Sequence, residues 1–117
     1  MMGETIFAKI IRKEIPADIV YETESVLAFK DIRPQAPVHV LIIPKNTEIE
    51  SAKDLSKEKH SKLLGELYEA ANHIAKKLGV FECGFRLVLN SGPDSGQEVP
   101  HIHIHLLGGR KMNWPPG

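Results

Sequence analysis

The sequence predicts an α+β fold built on an antiparallel sheet. Three observations carry that expectation: short apolar, β-branched runs follow one another at hairpin distances, one long segment has helical periodicity, and the helical segments are segregated from the strand pairs. The 117 residues suit one domain over 1–117 with one core. Hydrophobic residues at 42% and charged residues at 26% give the balance of a folded, water-soluble chain.

Taken in order, Thr5 is placed to cap a short helix in which Ile6, Phe7, Ile10 and Ile11 share a stripe, and Ile15-Pro16 ends the pattern. Ile19-Val20-Tyr21 and Val26-Leu27-Ala28-Phe29, split by four polar residues, read as a hairpin. Asp31 to Pro37 breaks the pattern with two prolines, and Val38 to Ile43 resumes it as a strand that contains His39 and stops at Pro44. Ser56 to Leu78 is the strongest helical segment: Leu63, Leu67, Ala70, Ala71, Ile74 and Leu78 form one stripe, and Gly79 follows as a C-terminal cap. Phe85 to Leu89 is a strand, Asn90 to Gly96 a polar loop, and Val99 to Leu107 a last strand before Gly108-Gly109. The tail from Met112 to Gly117 holds the only tryptophan and cannot be helical, so it is expected to pack on something, a second subunit included.

Charge narrows the function. Lys+Arg and Asp+Glu are both 15, which leaves no general positive field for a nucleic acid backbone or an anionic membrane. No apolar run approaches the length needed to span a bilayer, and Glu4, Lys9 and Arg12 stand where a secretory signal would be apolar. Cys83 is the single cysteine, expected to be buried or at an edge; it excludes an internal disulfide and fits a reducing compartment. A cytoplasmic protein with no nucleic acid or membrane partner is the expectation.

His101-Ile102-His103-Ile104-His105-Leu106-Leu107 is the feature that carries chemistry. Strand alternation puts three imidazoles on one face and both isoleucines on the other. A merely solvated histidine face is one reading, and a metal site made of two of these histidines with His39 is another. One ion could not engage all three, because His101 and His105 lie about 13 Å apart at roughly 3.3 Å per residue. The third reading is phosphoryl chemistry, with a neutral imidazole attacking phosphorus while its neighbours orient it and bind phosphate oxygens. The small residues and amides of Asn90-Ser91-Gly92 and Ser95-Gly96-Gln97, just before this strand, favour the third reading because backbone N–H groups there can hold an anion. His60 and His73, alone on the long helix, are read as solvated.

The motif, matched without a gap from His101 to Leu107, resembles that of the histidine triad family, and Thr5 to Ala17, Asp31 to Pro37, Gly108-Gly109-Arg110 and Trp114-Pro115-Pro116-Gly117 resemble its Hint branch. The resemblance implies a five-stranded antiparallel sheet with one long and one short helix, continued across a homodimer, and a site for a purine nucleoside monophosphate, AMP or GMP, along the histidine strand. It implies His103 as nucleophile, His101 as its supporting neighbour, His105 as phosphate-contacting and His39 as a buried support. Asp31 would accept from the ribose hydroxyls, and Ile6, Phe7, Ile10, Phe29 and Ile32 would wall the base. Asn90 and Gln97 would lie near the phosphate and leaving group, with Gly96 where backbone approaches closely. Glu98 departs from the serine often found there, and its backbone N–H is expected to matter more than its carboxylate. The implied activity is metal-free and cofactor-free hydrolysis of nucleoside phosphoramidates to AMP and amine through a nucleotidyl-histidine. The alternatives are a purine nucleotide sensor or scaffold, or a dinucleoside polyphosphate hydrolase.

Overall fold

In the computed structural model, which describes residues 4–117, Thr5 accepts a hydrogen bond from the Ala8 N–H and opens helix α1, Ile6–Ile11. Strands β1 (Ile19–Glu22), β2 (Val26–Lys30) and β3 (Val38–Pro44) follow, then helix α2 (Lys57–Lys77) and strands β4 (Phe85–Leu89) and β5 (Ile104–Gly108). The sheet is five-stranded and antiparallel, in the order β1-β2-β3-β5-β4. Single 3₁₀ turns lie at Ala52–Asp54 and Pro93–Ser95. The expected element types and order are all present.

Both faces of β2 and β3 are covered, which explains why these strands are continuous apolar runs instead of alternating ones. Val26, Ala28, Val40, Ile42, Ile104 and Leu106 point to one side, where they meet Leu67, Ala70, Ala71 and Ile74 of α2. Leu27, Phe29, Leu41 and Ile43 point to the other, where Phe7 and Ile10 of α1 cover them. Ile42 is fully buried at the centre of the larger cluster. Ile42→Ala is expected to cost about 3 kcal/mol through lost burial and a residual cavity, read as a lowered urea midpoint.

Helix α2 is fixed at both ends. Ser56 accepts from the Lys59 N–H, and the His60 ring Nδ1 accepts from the Ser56 N–H at 3.0 Å, so His60 completes a reciprocal cap instead of standing free in solvent. Gly79 ends the helix at φ +78°, a conformation that favours glycine. His73 is exposed, with its ring 5.1 Å from that of Tyr21. Cys83, expected buried or at an edge, is exposed in the turn before β4. Trp114 is also exposed, at 80%, so the described residues leave the tail's aromatic ring largely uncovered. Among the described residues no helix is long and apolar enough to cross a membrane.

One boundary differs from expectation. The last strand was expected from Val99, but regular pairing begins at Ile104, opposite Ile42. Two residues further along, Pro44 has no N–H to offer Ile102, and the Ile102 N–H donates instead to the Ile49 carbonyl at 2.9 Å. His101 and His103 therefore stand on an extended lead-in to β5, held by bonds other than the ladder.

Candidate active site

The alternation seen in the sequence survives that change. Ile104 packs toward α2, while His105 lies beside its cross-strand partner Leu41 on the α1 face. His39, two residues before Leu41 on β3, shares that face. The Phe7 ring of α1 closes over the group, edge-on to His101 with ring centres 5.8 Å apart and to His103 at 5.1 Å. His103 and His105 rings are 5.1 Å apart, and His39 and His105 rings 5.2 Å. One cluster thus gathers all the triad histidines and His39.

Hydrogen bonds settle which nitrogen of each ring carries the proton. His101 Nε2 lies 2.9 Å from the Pro44 carbonyl and must donate to it. His103 Nδ1 lies 2.7 Å from the His101 carbonyl and must also donate, so the lone pair of neutral His103 sits on Nε2. His39 Nδ1 accepts from the Gln35 N–H at 3.0 Å, which forces its proton onto Nε2. That N–H donates to His105 Nδ1 at 2.9 Å, with Asp31 Oδ2 also 3.4 Å away. His105 in turn must carry its proton on Nε2. Two ring nitrogens then have no partner among the described residues and are not sealed from solvent: His103 Nε2, a lone pair, and His105 Nε2, an N–H. An open lone pair and a hydrogen-bond donor stand side by side.

Burial favours the neutral form of every ring. His39, His101 and His103 are each held below the ordinary histidine range by loss of hydration, partly offset by the Pro44 carbonyl at His101, the His101 carbonyl at His103 and the Asp31 charge at His39 and His103. His105 is pushed down to about 4, by burial first and then by its neighbours His103 and His39. His101 Nδ1 is fully buried with no partner, so a second proton there would be a charge without an acceptor.

Asp31 Oδ1 accepts the Arg33 N–H at 2.8 Å, which fixes the carboxylate at the edge of the cluster. Phe7, Ile10 and Phe29 are core residues first, each no more than 6% exposed, whereas Ile6 at 48% and Ile32 at 90% offer open apolar surface. Gln97 engages both of its amide N–H groups within the chain: its Nε2 donates to the Glu50 and Val99 carbonyls, and its Oε1 accepts from the Gly92 N–H. Its part is to brace the loop that leads into His101. Gly96 ends the 3₁₀ turn at φ +88°, so its requirement here is conformational. Glu98 is exposed and lines a cavity of about 510 Å³ together with Lys53, Asp54 and Gln97. Asn90 is half-buried at the end of β4.

A metal was an option for His39 with two triad histidines. The grouping that forms among the described residues is instead Asp31, His39 and His105, with donor atoms within 4.8 Å of one another. The Gln35 N–H makes it a poor cation site. To ligate through Nε2, neutral His39 would have to place its proton on Nδ1, facing that N–H donor.

A HIT domain matches residues 12–112. The chain belongs to the HIT family. Its HIT-family relatives include the purine nucleoside phosphoramidase of Escherichia coli, 54% identical over 112 residues that cover 96% of this chain and 92% of that protein. A "14 kDa zinc-binding protein" of Zea mays is 56% identical over 113 residues, 97% of this chain and 88% of the relative. A HIT family hydrolase from Legionella pneumophila has a crystal structure that superposes with a TM-score of 0.93 at 50% identity, covering 97% of this chain and all of the other. Within this HIT fold, Gln35 and Arg110 went unassigned in the sequence because what links them to the histidines is the Gln35 backbone, which residue type does not mark. Gln35 acts on His39 through its backbone, and Arg110 holds the Gln35 carbonyl at 3.0 Å.

Proposed function

We propose that the chain, as one domain over 1–117, hydrolyses purine nucleoside 5′-phosphoramidates to the nucleoside monophosphate and an amine. The observation that carries this is the His103 tautomer: Nδ1–H anchored on the His101 carbonyl at 2.7 Å, Nε2 open and unprotonated. The phosphoramidase activity named for the Escherichia coli relative, at 54% identity, supports it.

In the first step His103 Nε2 bonds to the α-phosphorus, the P–N bond to the amine breaks, and the amine departs with a proton taken from solvent. The His101 carbonyl, accepting from Nδ1–H, stabilises the positive charge that the ring acquires. His105 Nε2–H donates to a phosphate oxygen. It is a donor and not a proton source, since losing that proton would leave an anionic ring. In the second step water attacks phosphorus and releases a proton to solvent, the bond to His103 breaks with its electron pair returning to Nε2, and the monophosphate leaves. AMP or GMP is the ligand, with Asp31 on the ribose, Ile6 and Ile32 beside the base, and Asn90 and the backbone of Gly96 and Glu98 toward the phosphate. We place the enzyme in the cytoplasm as a homodimer, which would cover the exposed Trp114.

The scheme routes no step through a cation. Turnover of adenosine 5′-phosphoramidate is expected to be unchanged in a strong chelator, and strict zinc dependence would overturn the reading.

A further inference from the structure

The mechanism above relies on His105 presenting an N–H to solvent, and that proton's position is decided three links away. Arg110, just past β5, points its guanidinium at the Asp31–Pro37 loop, where Nη2 and Nε donate to the Gln35 carbonyl at 3.0 and 3.3 Å. Gln35's own N–H donates to His39 Nδ1 at 3.0 Å, and His39 Nε2–H reaches His105 Nδ1 at 2.9 Å. The two peptide groups flanking one Cα are therefore held from opposite ends, one by an exposed cation and one by a buried imidazole. Gly109 makes the approach possible: at φ +90° its backbone passes so close to Pro37 that an added Cβ would sit 2.8 Å from the proline ring. The Gln35 side chain takes no part in the link, since it donates back to the Arg33 carbonyl.

We propose that Arg110 is a positioning residue for the catalytic histidines: by clamping the Gln35 carbonyl it aims the Gln35 N–H at His39 and so fixes His105 as an Nε2–H donor. Without the clamp, the loop is free to turn that N–H away. His39 can then place its proton on Nδ1, His105 shifts its own to Nδ1 to face the bare His39 Nε2, and the nitrogen facing the phosphate becomes a lone pair that repels it. The consequence falls on the chemical step more than on nucleoside binding, because the ribose and base contacts lie elsewhere. This inference rests on the phosphoramidase reading for its kinetic half only.

The test compares wild type, Arg110→Ala and Arg110→Lys by ¹⁵N NMR of the histidine rings and by steady-state kinetics on adenosine 5′-phosphoramidate. In wild type, His39 should show an unprotonated Nδ1 and a protonated Nε2. In Arg110→Ala those signatures should mix or reverse at His39 and His105, with kcat down about tenfold and KM within about twofold. Arg110→Lys should restore part of both, as an ammonium can donate to the carbonyl from its single nitrogen but lacks the planar fork that grips it from two. Backbone amide spectra that overlay those of wild type show that the fold is retained. Unchanged ring signatures in folded Arg110→Ala overturn the proposal, as does a loss of kcat with the tautomers intact. Shifted signatures in an enzyme whose wild type does not hydrolyse the phosphoramidate would uphold the positioning role and remove the proposed function instead.

Discussion

Replacing His103 by alanine is expected to lower phosphoramidate turnover by roughly 10⁴-fold or more while nucleoside monophosphate affinity stays within about tenfold. The size of the effect follows from there being no substitute. His101 Nδ1 is a lone pair but is sealed from solvent, and His105 offers solvent an N–H, which cannot attack phosphorus. His39 spends both ring nitrogens on Gln35 and His105. His103→Ala also removes a ring that packs against Phe7, so His103→Asn, which keeps some of that volume, should be measured beside it. Binding is read by calorimetry with AMP, and turnover by release of amine. Retention of more than a few per cent of activity in either purified, folded variant would remove His103 from the nucleophile's place. Loss of AMP binding in step with activity would mean that the ring serves binding alone.

Most of the frame was legible in the sequence because its signals are local. Thr5 and Ser56 cap helices through atoms within three residues, Gly79 supplies a positive φ, and the alternation of Ile104 against His105 needs only the strand period. The late start of β5 was hidden because it depends on a missing donor at Pro44, a residue on another strand. The site divides in the same way. The triad and His39 could be picked out by residue type, but the proton positions that give them different roles depend on backbone groups of Gln35, Pro44 and His101. A backbone donor or acceptor is present at nearly every position, so nothing in the side-chain pattern distinguishes the one that matters. The amide of Gln97 shows the converse. By type it could have faced a phosphate, yet its partners are the Glu50 and Val99 carbonyls and the Gly92 N–H.

Acid should unfold this protein earlier than its carboxylates alone would. His39, His101, His103 and His105 all titrate below the ordinary histidine value of 6.5 in the folded chain, and burial is the first cause for each. Between the folded and unfolded values the unfolded chain binds more protons, so stability must fall as the pH is lowered through that window. The contribution is fully present above about pH 6.5 and drains away as the pH approaches about 4, where folded His105 itself protonates. His105 alone accounts for roughly 2 kcal/mol after allowance for its partial exposure, and the other three add in the same direction. Glu14 and Glu22 are also held below the ordinary carboxylate value of 4.5, the first by Arg12 and the second by Lys45 and Lys13, so their losses begin only at lower pH. The onset therefore identifies the groups: urea midpoints measured from pH 8 to 4.5 should decline below about 6.5, and a midpoint flat down to 4.5 would show that the buried rings are not held neutral. Turnover on the same axis should stay level through pH 6.5, because folded His103 keeps its lone pair there. A kcat/KM profile that breaks at or above 6.5 would contradict the burial that the Phe7 contact and the surrounding rings impose on His103.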